Sequence, residues 1–189
     1  MRRLLLKSFI QGPLTEPAPV PAEEALAELA GRVNQASRRR LGRTLSIRQV
    51  DAGSCNGCEL EIHALNNVLY DLERFGLRFV ASPRHADVLL VTGPVTVNMR
   101  EALERTFQAT PDPKWVVAVG DCARDGGVFA GSVACVGGVS QVLPVDLHIR
   151  GCPPSPIVLL QGLLALLESV TAETRDRIDV DQPPVRAES

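Results

Sequence analysis

Four cysteines, each in a short run with glycine or proline, constrain this chain more than any other feature. Cys55 and Cys58 lie in the run CNGC, Cys122 follows a GD pair, and Cys152 lies in the run GCPP. Glycine and proline favour loops, in which a cysteine sulfur can turn inward. Four thiolates from three loops form the ligand set of an iron–sulfur cluster or a tetrahedral zinc ion. The sequence therefore predicts a protein that holds a metal centre.

The spacing of the cysteines favours an iron–sulfur cluster over the alternatives. A single Cys-x-x-Cys run also occurs in zinc sites and in redox dithiols, so both remain open. However, Cys122 and Cys152 are isolated, whereas zinc ribbons carry their cysteines in closely spaced pairs. Their loops of small residues can present backbone N–H groups to inorganic sulfide, which stabilises the negative charge of a cluster.

Length and composition are those of a globular protein without a nucleic-acid partner. The chain has 189 residues, which predicts one domain with short extensions. Its net charge of -2 and its 4% of aromatic residues argue against a nucleic-acid binder. Its five cysteines cannot all pair within the chain, and free thiolates suit a reducing compartment.

We do not expect the first residues to form an export signal or a membrane span. Lys7 interrupts the opening apolar run, and Gly12-Pro13 ends it. No stretch approaches the roughly 20 apolar residues that cross a bilayer. We therefore expect a cytoplasmic protein that can dock on a membrane complex. Residues 1–20 form an N-terminal arm, which we expect to lie on a partner or a lipid surface; a flexible tail is the alternative.

Beyond the arm, strand and helix patterns alternate along the chain. Residues 21–45 are expected to form a helix (21–41) and a linker, residues 46–170 the main domain, and residues 171–189 a mobile polar tail. Strands are predicted at 46–50, 77–81, 88–92, 115–120 and 142–145, and helices at 59–73, 97–108 and 156–168. This alternation indicates an α/β fold, a parallel sheet with helices on both faces. Sites of such sheets lie at the carboxyl ends of the strands, where the cysteine loops would meet.

The remaining cysteine and the histidines are weaker candidates. Cys135 has apolar neighbours and is expected to be a buried, inert thiol. His63, His85 and His148 are far apart in the sequence and are expected to be surface or hydrogen-bonded side chains. An alternative for His63 is to line an exit route for electrons or protons.

Two carboxylates flank the turn that contains the first two cysteines. Glu59 and Glu61 are expected to favour a helix N-terminus, and a proton relay is the alternative. The glycine pairs match no phosphate-binding fingerprint, and the Cys-x-x-Cys run occupies the place of a flavin phosphate loop. Flavin is therefore disfavoured.

From about residue 50 to about residue 167, the chain resembles the small subunit of energy-converting, membrane-associated NiFe hydrogenases, most closely the formate hydrogenlyase type. The resemblance is carried by CNGCELE at 55–61, PRHADVLL at 83–90, TGPVT at 92–96, glycines at 126 and 127 with phenylalanine at 129, PVD at 144–146, and GCPPSP at 151–156. It implies a flavodoxin-like fold and one 4Fe–4S cluster, proximal to the active site. By motif match, the implied ligands are Cys55, Cys58, Cys122 and Cys152.

The resemblance also implies what the partners would supply. The NiFe centre of such enzymes lies in a separate large subunit, so this chain would be an oxidoreductase subunit without a complete active site. Electrons would pass to a ferredoxin-like iron–sulfur subunit. Membrane-embedded subunits would hold the complex at the cytoplasmic face of the inner membrane.

A related family is the proximal-cluster subunit of NADH:quinone oxidoreductase, which shares the fold and most of these blocks. Its first two cysteines are adjacent, whereas two residues separate Cys55 from Cys58, and this favours the hydrogenase branch. Uptake hydrogenases have longer small subunits, with an export signal and two further clusters that this sequence is not expected to carry. The alternatives that stay open are a quinone-reducing respiratory module and a zinc-stabilised scaffold without a redox role.

Overall fold

The computed structural model describes residues 23–75, 77–169 and 178–180, and a six-stranded parallel sheet lies at its centre. The strands of this sheet are β1 (Ser46–Asp51), β2 (Arg78–Phe79), β3 (Val88–Thr92), β5 (Trp115–Val119), β7 (Leu147–Ile149) and β8 (Ile178–Val180); β4 (Val95–Thr96) and β6 (Cys135–Gly137) form a separate antiparallel pair. The order in the large sheet is β2-β1-β3-β5-β7-β8. The chain adds β2 on one side of β1 and then β3, β5, β7 and β8 on its other side, as in flavodoxin-like folds.

Helices cover both faces of the sheet, as the sequence predicts. They are α1 (Glu23–Leu41), α2 (Gly57–Ala64), α3 (Val97–Ala109), α4 (Asp121–Asp125) and α5 (Pro156–Ser169). Short 3-10 helices span Leu72–Phe75, Pro83–His85, Gly127–Phe129 and Val139–Gln141. Apolar residues of α1, α2 and α5 pack on one face, and those of α3 and α4 pack on the other. Among the described helices, none is long and apolar enough to cross a membrane.

The core divides into two clusters because strand side chains alternate between the faces. In β3, Val88 and Leu90 join the cluster under α1 and α5, and Leu89 and Val91 join the cluster under α3. All five residues of β3 are buried, since helices cover this central strand on both faces.

Strand register brings the carboxyl ends of four strands level. Asp51 pairs with Thr92, Thr92 with Val119, and Val119 with Ile149. The segments that follow β1, β5 and β7 therefore leave the sheet from one edge. These are the three segments that contain the four cysteines of the sequence pattern.

At the opposite edge, Asp87 fixes the start of the sheet. Its buried carboxylate accepts hydrogen bonds from the Arg43 guanidinium and from the backbone N–H of Ser46 at 2.9 Å. Its backbone carbonyl accepts from the N–H of Trp115 at 3.0 Å. One aspartate thus joins the linker after α1 to the first residues of β1 and β5.

The helix predicted at 59–73 is shorter, because a local turn ends it. Helix α2 stops at Ala64, and Asn67 Oδ1 then accepts the backbone N–H groups of Leu69 and Tyr70. An asparagine that bonds to its own following backbone competes with helix propagation. The chain returns to helical geometry only in the 3-10 turn Leu72–Phe75.

The strand predicted at 142–145 is wrong. The N–H groups of Val142 and Leu143 bond to Val139 O, and Pro144 has no N–H to give to a ladder. The strand begins instead at Leu147 and ends at Ile149.

Two further boundaries differ from the sequence prediction. The strand predicted at 77–81 contains only Arg78–Phe79. In the segment expected to be a polar tail, Ile178–Val180 pairs with β7 as a parallel edge strand. The arm at 1–20 and the rest of the tail lie outside the described residues.

Candidate metal centre

Each of the four cysteines lies in a segment that leaves the carboxyl edge of the sheet. Cys55 is exposed in the turn after β1, and Cys58 is half-buried in the first turn of α2. Cys122 is half-buried in α4, directly after β5, and Cys152 is exposed after β7. As expected from the sequence, the cysteines therefore follow strands of the parallel sheet.

Glycines bring backbone close to two of the sulfurs. A Cβ atom on Gly120 would lie 2.6 Å from Cys58 Sγ, and one on Gly127 would lie 2.8 Å from Cys122 Sγ. Both glycines have positive φ angles, 89° and 50°. A side chain at either position would occupy the space beside a thiol and would strain the backbone.

The four thiol groups are close enough to influence one another electrostatically. The pKa of Cys58 is raised to about 12, first by burial, then by Glu59, and then by Cys122, Cys55 and Cys152. Negative charge on any one thiol therefore opposes ionisation of Cys58. A bound metal centre supplies the positive charge that allows four such thiolates to coexist.

Cys122 differs from Cys58 because a backbone hydrogen-bond donor partly offsets the rise in its pKa. Burial raises the pKa of Cys122 most, and Cys152 and Cys55 raise it further. A hydrogen bond from the backbone N–H of Val128 lowers it. This N–H group stabilises negative charge on the Cys122 sulfur.

The first cysteine turn is anchored to the end of β1. Asp51 Oδ1 accepts the backbone N–H groups of Gly53 at 2.7 Å and Ser54 at 2.8 Å. Ser54 Oγ in turn accepts the N–H of Asn56, whose φ is 72°. Asparagine tolerates this left-handed conformation better than most residues, which suits it to the position between Cys55 and Cys58.

A reciprocal pair of hydrogen bonds joins the other two cysteine loops. The N–H of Asp121 donates to Gly151 O at 3.0 Å, and the N–H of Gly151 donates to Asp121 Oδ1 at 3.2 Å. Asp121 and Gly151 immediately precede Cys122 and Cys152. One backbone bond and one bond to the Asp121 side chain therefore join the residues that precede the two cysteines.

The residues fit a group that takes several thiolates. The donors are soft sulfurs, and glycine leaves space beside two of them. Within the described part of the chain, no group of three or more His, Cys, Asp or Glu side chains is arranged to hold a single metal ion.

Comparison with known proteins assigns the family of this chain. The sequence profile of the NADH ubiquinone oxidoreductase 20 kDa subunit family matches residues 55–166. The chain belongs to this family. The matched segment begins at the first cysteine of the site and extends into α5.

Individual members of the family extend the comparison. The chain is 40% identical to formate hydrogenlyase subunit 7 of Escherichia coli over 171 residues, which are 89% of this chain and 65% of that protein. It thus spans less than two thirds of that relative. It is 42% identical over 142 residues to a probable membrane-bound hydrogenase subunit of Pyrococcus furiosus, covering 75% of this chain and 85% of the relative. The resemblance to the hydrogenase group inferred from sequence motifs is confirmed.

A solved structure supports the fold. The membrane-bound sulfane sulfur reductase, described as an archaeal respiratory membrane complex, contains a chain that matches with a TM-score of 0.60 and 34% identity. The match covers 73% of this chain and 74% of the other. The expected α/β fold of this 20 kDa-family chain is thus confirmed.

The weaker candidates fall outside the group of four thiols. Cys135 is half-buried in β6, opposite Thr96, rather than fully buried. His85 is exposed, and His148 is buried in β7. His63 is exposed on α2 and lines a cavity of about 250 Å³ between α2 and the residues that follow β2.

Glu59 and a backbone donor are the features that sequence reasoning underestimated. Glu59 is buried beside Cys58, and among the described residues neither of its carboxylate oxygens has a hydrogen-bond partner. Glu61 is half-buried. Val128 acts through its backbone N–H, and a backbone group leaves no trace in the identity of a residue. The only sequence signal for it was the run Asp125-Gly126-Gly127, which is typical of a tight turn.

Proposed function

We propose that this chain is the electron-transfer small subunit of a membrane-associated NiFe hydrogenase complex, with one 4Fe–4S cluster held by Cys55, Cys58, Cys122 and Cys152. The observation that carries the proposal is the arrangement of these four thiols. They come from three loops at one sheet edge, and their charges act on one another. A bound cluster of this type accepts and gives up single electrons.

The residues of the chain prepare the site for such a group. Gly120 and Gly127 leave the space beside the two half-buried sulfurs. The Asp121–Gly151 hydrogen bonds hold two of the loops together, and the Val128 N–H stabilises negative charge on Cys122. Cys58 is half-buried in the first turn of α2.

The names of the relatives support the hydrogenase assignment. One relative is a formate hydrogenlyase subunit, and another is a probable membrane-bound hydrogenase subunit. We propose that the chain works with a large subunit that carries the NiFe centre, a ferredoxin-like iron–sulfur subunit and membrane-embedded subunits. The complex would lie at the cytoplasmic face of the inner membrane, with this chain as a peripheral component.

Metal analysis of the anaerobically purified complex tests the ligand set. Cys122→Ala removes one thiolate, and we expect iron and acid-labile sulfide assigned to this subunit to be lost or converted to a smaller cluster. Cys135→Ala removes a thiol in β6 and is expected to keep wild-type iron and sulfide. Zinc without acid-labile sulfide in the wild-type subunit would refute the proposal and leave the zinc scaffold.

A second candidate is a quinone-reducing respiratory module, which the family name favours. The two functions differ in the metal of the partner. Nickel in the purified complex, together with hydrogen-dependent dye reduction, supports the hydrogenase. A complex that has this subunit's cluster, lacks nickel and reduces a quinone would instead support the respiratory module.

We also propose that the arm at 1–20 attaches this subunit to the membrane partners or to the lipid surface. Its leucines lie among basic residues, a pattern that suits an anionic membrane surface. Deletion of residues 2–14 should then release part of the complex from the membrane fraction, as measured by centrifugation and hydrogenase activity. Unchanged retention and activity would leave the arm without this role.

A further inference from the structure

Side-chain oxygens hold the backbone on both sides of Cys55. Asp51 Oδ1 accepts the backbone N–H of Ser54, the residue before Cys55, at 2.8 Å. Ser54 Oγ accepts the backbone N–H of Asn56, the residue after Cys55, at 3.1 Å. A side-chain oxygen that accepts an N–H group two or three residues further on fixes a tight turn. The backbone that carries the Cys55 side chain is therefore restrained at both of its neighbours.

The segment that follows β3 packs against the start of the same turn. A Cβ on Gly93 would lie 2.5 Å from the backbone N of Ser54, so the two segments are in close contact. Thr96 donates its backbone N–H and its hydroxyl to Ala52 O, at 2.9 and 3.1 Å. Both of these bonds end at Ala52, which is buried. The N–H groups nearer to Cys55 depend instead on the side chains of Asp51 and Ser54.

Cys55 has less support from its surroundings than the other three cysteines. It is exposed, whereas Cys58 and Cys122 are half-buried. Cys152 is also exposed, but reciprocal hydrogen bonds join the residue before it to the residue before Cys122. Within the described residues, Cys55 has neither this burial nor hydrogen bonds from its turn to another cysteine loop. Of the four sulfurs, that of Cys55 therefore relies most on the side-chain bonds of its own turn.

We propose that Asp51 is a positioning residue that holds Cys55 in place as the fourth cluster ligand, so that the iron bound to Cys55 is retained. The inference rests on the proposed function, because it requires Cys55 to bind iron. A 4Fe–4S cluster needs four thiolates, and a displaced Cys55 would leave one iron without its protein ligand. Asp51 is not itself a ligand, and it acts through the backbone of Ser54.

Mild oxidation of the anaerobically purified complex tests the role of Asp51. When [4Fe–4S]²⁺ gives [3Fe–4S]⁺ and Fe²⁺, one electron is released, and ferricyanide accepts it. Electron paramagnetic resonance then follows the rate at which the 3Fe–4S form appears. In Asp51→Ala this rate should rise about threefold to tenfold, the range that corresponds to the loss of one or two hydrogen bonds. Clusters of other subunits contribute equally to wild type and variant, so the difference reports this site.

Three further variants separate positioning from charge and from general stability. Asp51→Asn removes the charge but keeps Oδ1 as an acceptor, so it should restore the wild-type rate. Ser54→Ala removes the acceptor of the Asn56 N–H and should raise the rate as Asp51→Ala does. Asn67→Ala is the matched control, because Asn67 Oδ1 also accepts the N–H groups two and three residues further on, at 2.8 and 3.0 Å, in a turn without a cysteine. It should leave the rate unchanged.

The outcomes separate the inference from the proposed function. A wild-type subunit without iron and acid-labile sulfide would refute the proposed function. A wild-type cluster whose rate of conversion is unchanged in Asp51→Ala would overturn the inference alone. A raised rate in Asp51→Asn would also overturn it, because the charge rather than the turn would then matter, and so would an equally raised rate in Asn67→Ala.

Two of the variants keep the inference testable if Asp51→Ala assembles no cluster. A wild-type rate in Asp51→Asn together with a raised rate in Ser54→Ala would then support the positioning role. Any other combination of these two rates would overturn it.

Discussion

Gly120 joins the end of the sheet to the proposed metal site. It follows the last residue of β5, and its N–H donates to Ile149 O at 2.7 Å. Its φ of 89° turns the chain into α4, and the missing side chain leaves space for Cys58 Sγ. Gly120 therefore links the segments that contain Cys122 and Cys152, and it also leaves the space that Cys58 Sγ occupies.

We predict that Gly120→Ala loses most of the subunit's iron. The new methyl group would lie 2.6 Å from Cys58 Sγ, closer than two such atoms can approach, so the sulfur must move out of its position. The substitution also carries a backbone cost of roughly 1–3 kcal/mol, because a φ of 89° with a ψ of 161° is a conformation that nearly only glycine adopts. Iron and sulfide analysis of the purified complex measures the effect.

Gly131→Ala is the matched control for this prediction. Gly131 has a similar φ of 80°, but a Cβ there would have no described atom within 4 Å. Gly131→Ala thus also places an L-residue at a positive φ, and it should keep wild-type iron. Equal iron loss in both variants would mean that backbone strain, rather than the contact with Cys58, controls cluster retention.

Some residue-scale features of the site can be predicted from the sequence, and others cannot. The four cysteines stand out because thiol chemistry is tied to residue type. The roles of Gly120 and Val128 do not, because space for a sulfur and the direction of an N–H group arise from backbone geometry. Glu59 has the sequence context of an ordinary residue at a helix N-terminus, and its burial beside Cys58 arises only when α2 packs on the sheet.

At the scale of elements, the sequence predicts best where a segment is buried on both faces. The limits of β3 match the prediction, because five consecutive apolar or β-branched residues leave little ambiguity. The apolar run at 142–145 has the hydropathy of a strand, which does not reveal the hydrogen bonds to Val139 O. Side-chain turns, such as that of Asn67, likewise override helix periodicity.

An element-scale prediction concerns the amino edge of the sheet. Asp87→Ala leaves the Ser46 N–H without its acceptor and removes the partner of Arg43. We expect the free energy of unfolding to fall by about 2–3 kcal/mol, as for the loss of buried hydrogen bonds to a charged group. Urea denaturation of the purified protein measures this change.

The control for Asp87 is an aspartate in a weak surface pair. Asp112 lies 3.7 Å from Lys114, and 85% of its side chain is exposed. Asp112→Ala should change the free energy of unfolding by less than about 0.5 kcal/mol. Similar losses in the two variants would contradict the structural role assigned to Asp87.

At the scale of the whole molecule, four exposed apolar residues lie close in sequence to the cysteines of the candidate metal centre. Leu60 in α2, Val128 and Phe129 after Cys122, and Ile157 in α5 are exposed. Each lies within seven residues of a cysteine of the site along the chain. We call these four residues the apolar rim. Exposed apolar surface beside a functional site is typical of a protein–protein contact. We therefore expect the proposed large subunit to cover this rim and the two exposed thiols.

The last prediction tests that contact with charged substitutions in the apolar rim. Val128→Asp and Ile157→Asp should each weaken association with the large subunit, because burying an unpaired carboxylate in an interface is costly. Both side chains are exposed, at 83% and 47%, so neither substitution should unfold the isolated chain. Copurification of the large subunit with a tagged copy of this chain measures the effect.

Val68→Asp provides the matched control, because Val68 is also exposed, at 94%, but lies in the turn after α2 rather than beside a cysteine. It should leave copurification unchanged. If all three variants retained the large subunit equally, the apolar rim would not be its binding surface. If Val68→Asp alone released it, the contact would instead lie on the side of the molecule where α2 ends. The comparison therefore locates the partner as well as testing for it, and it does so without altering any of the four cysteines.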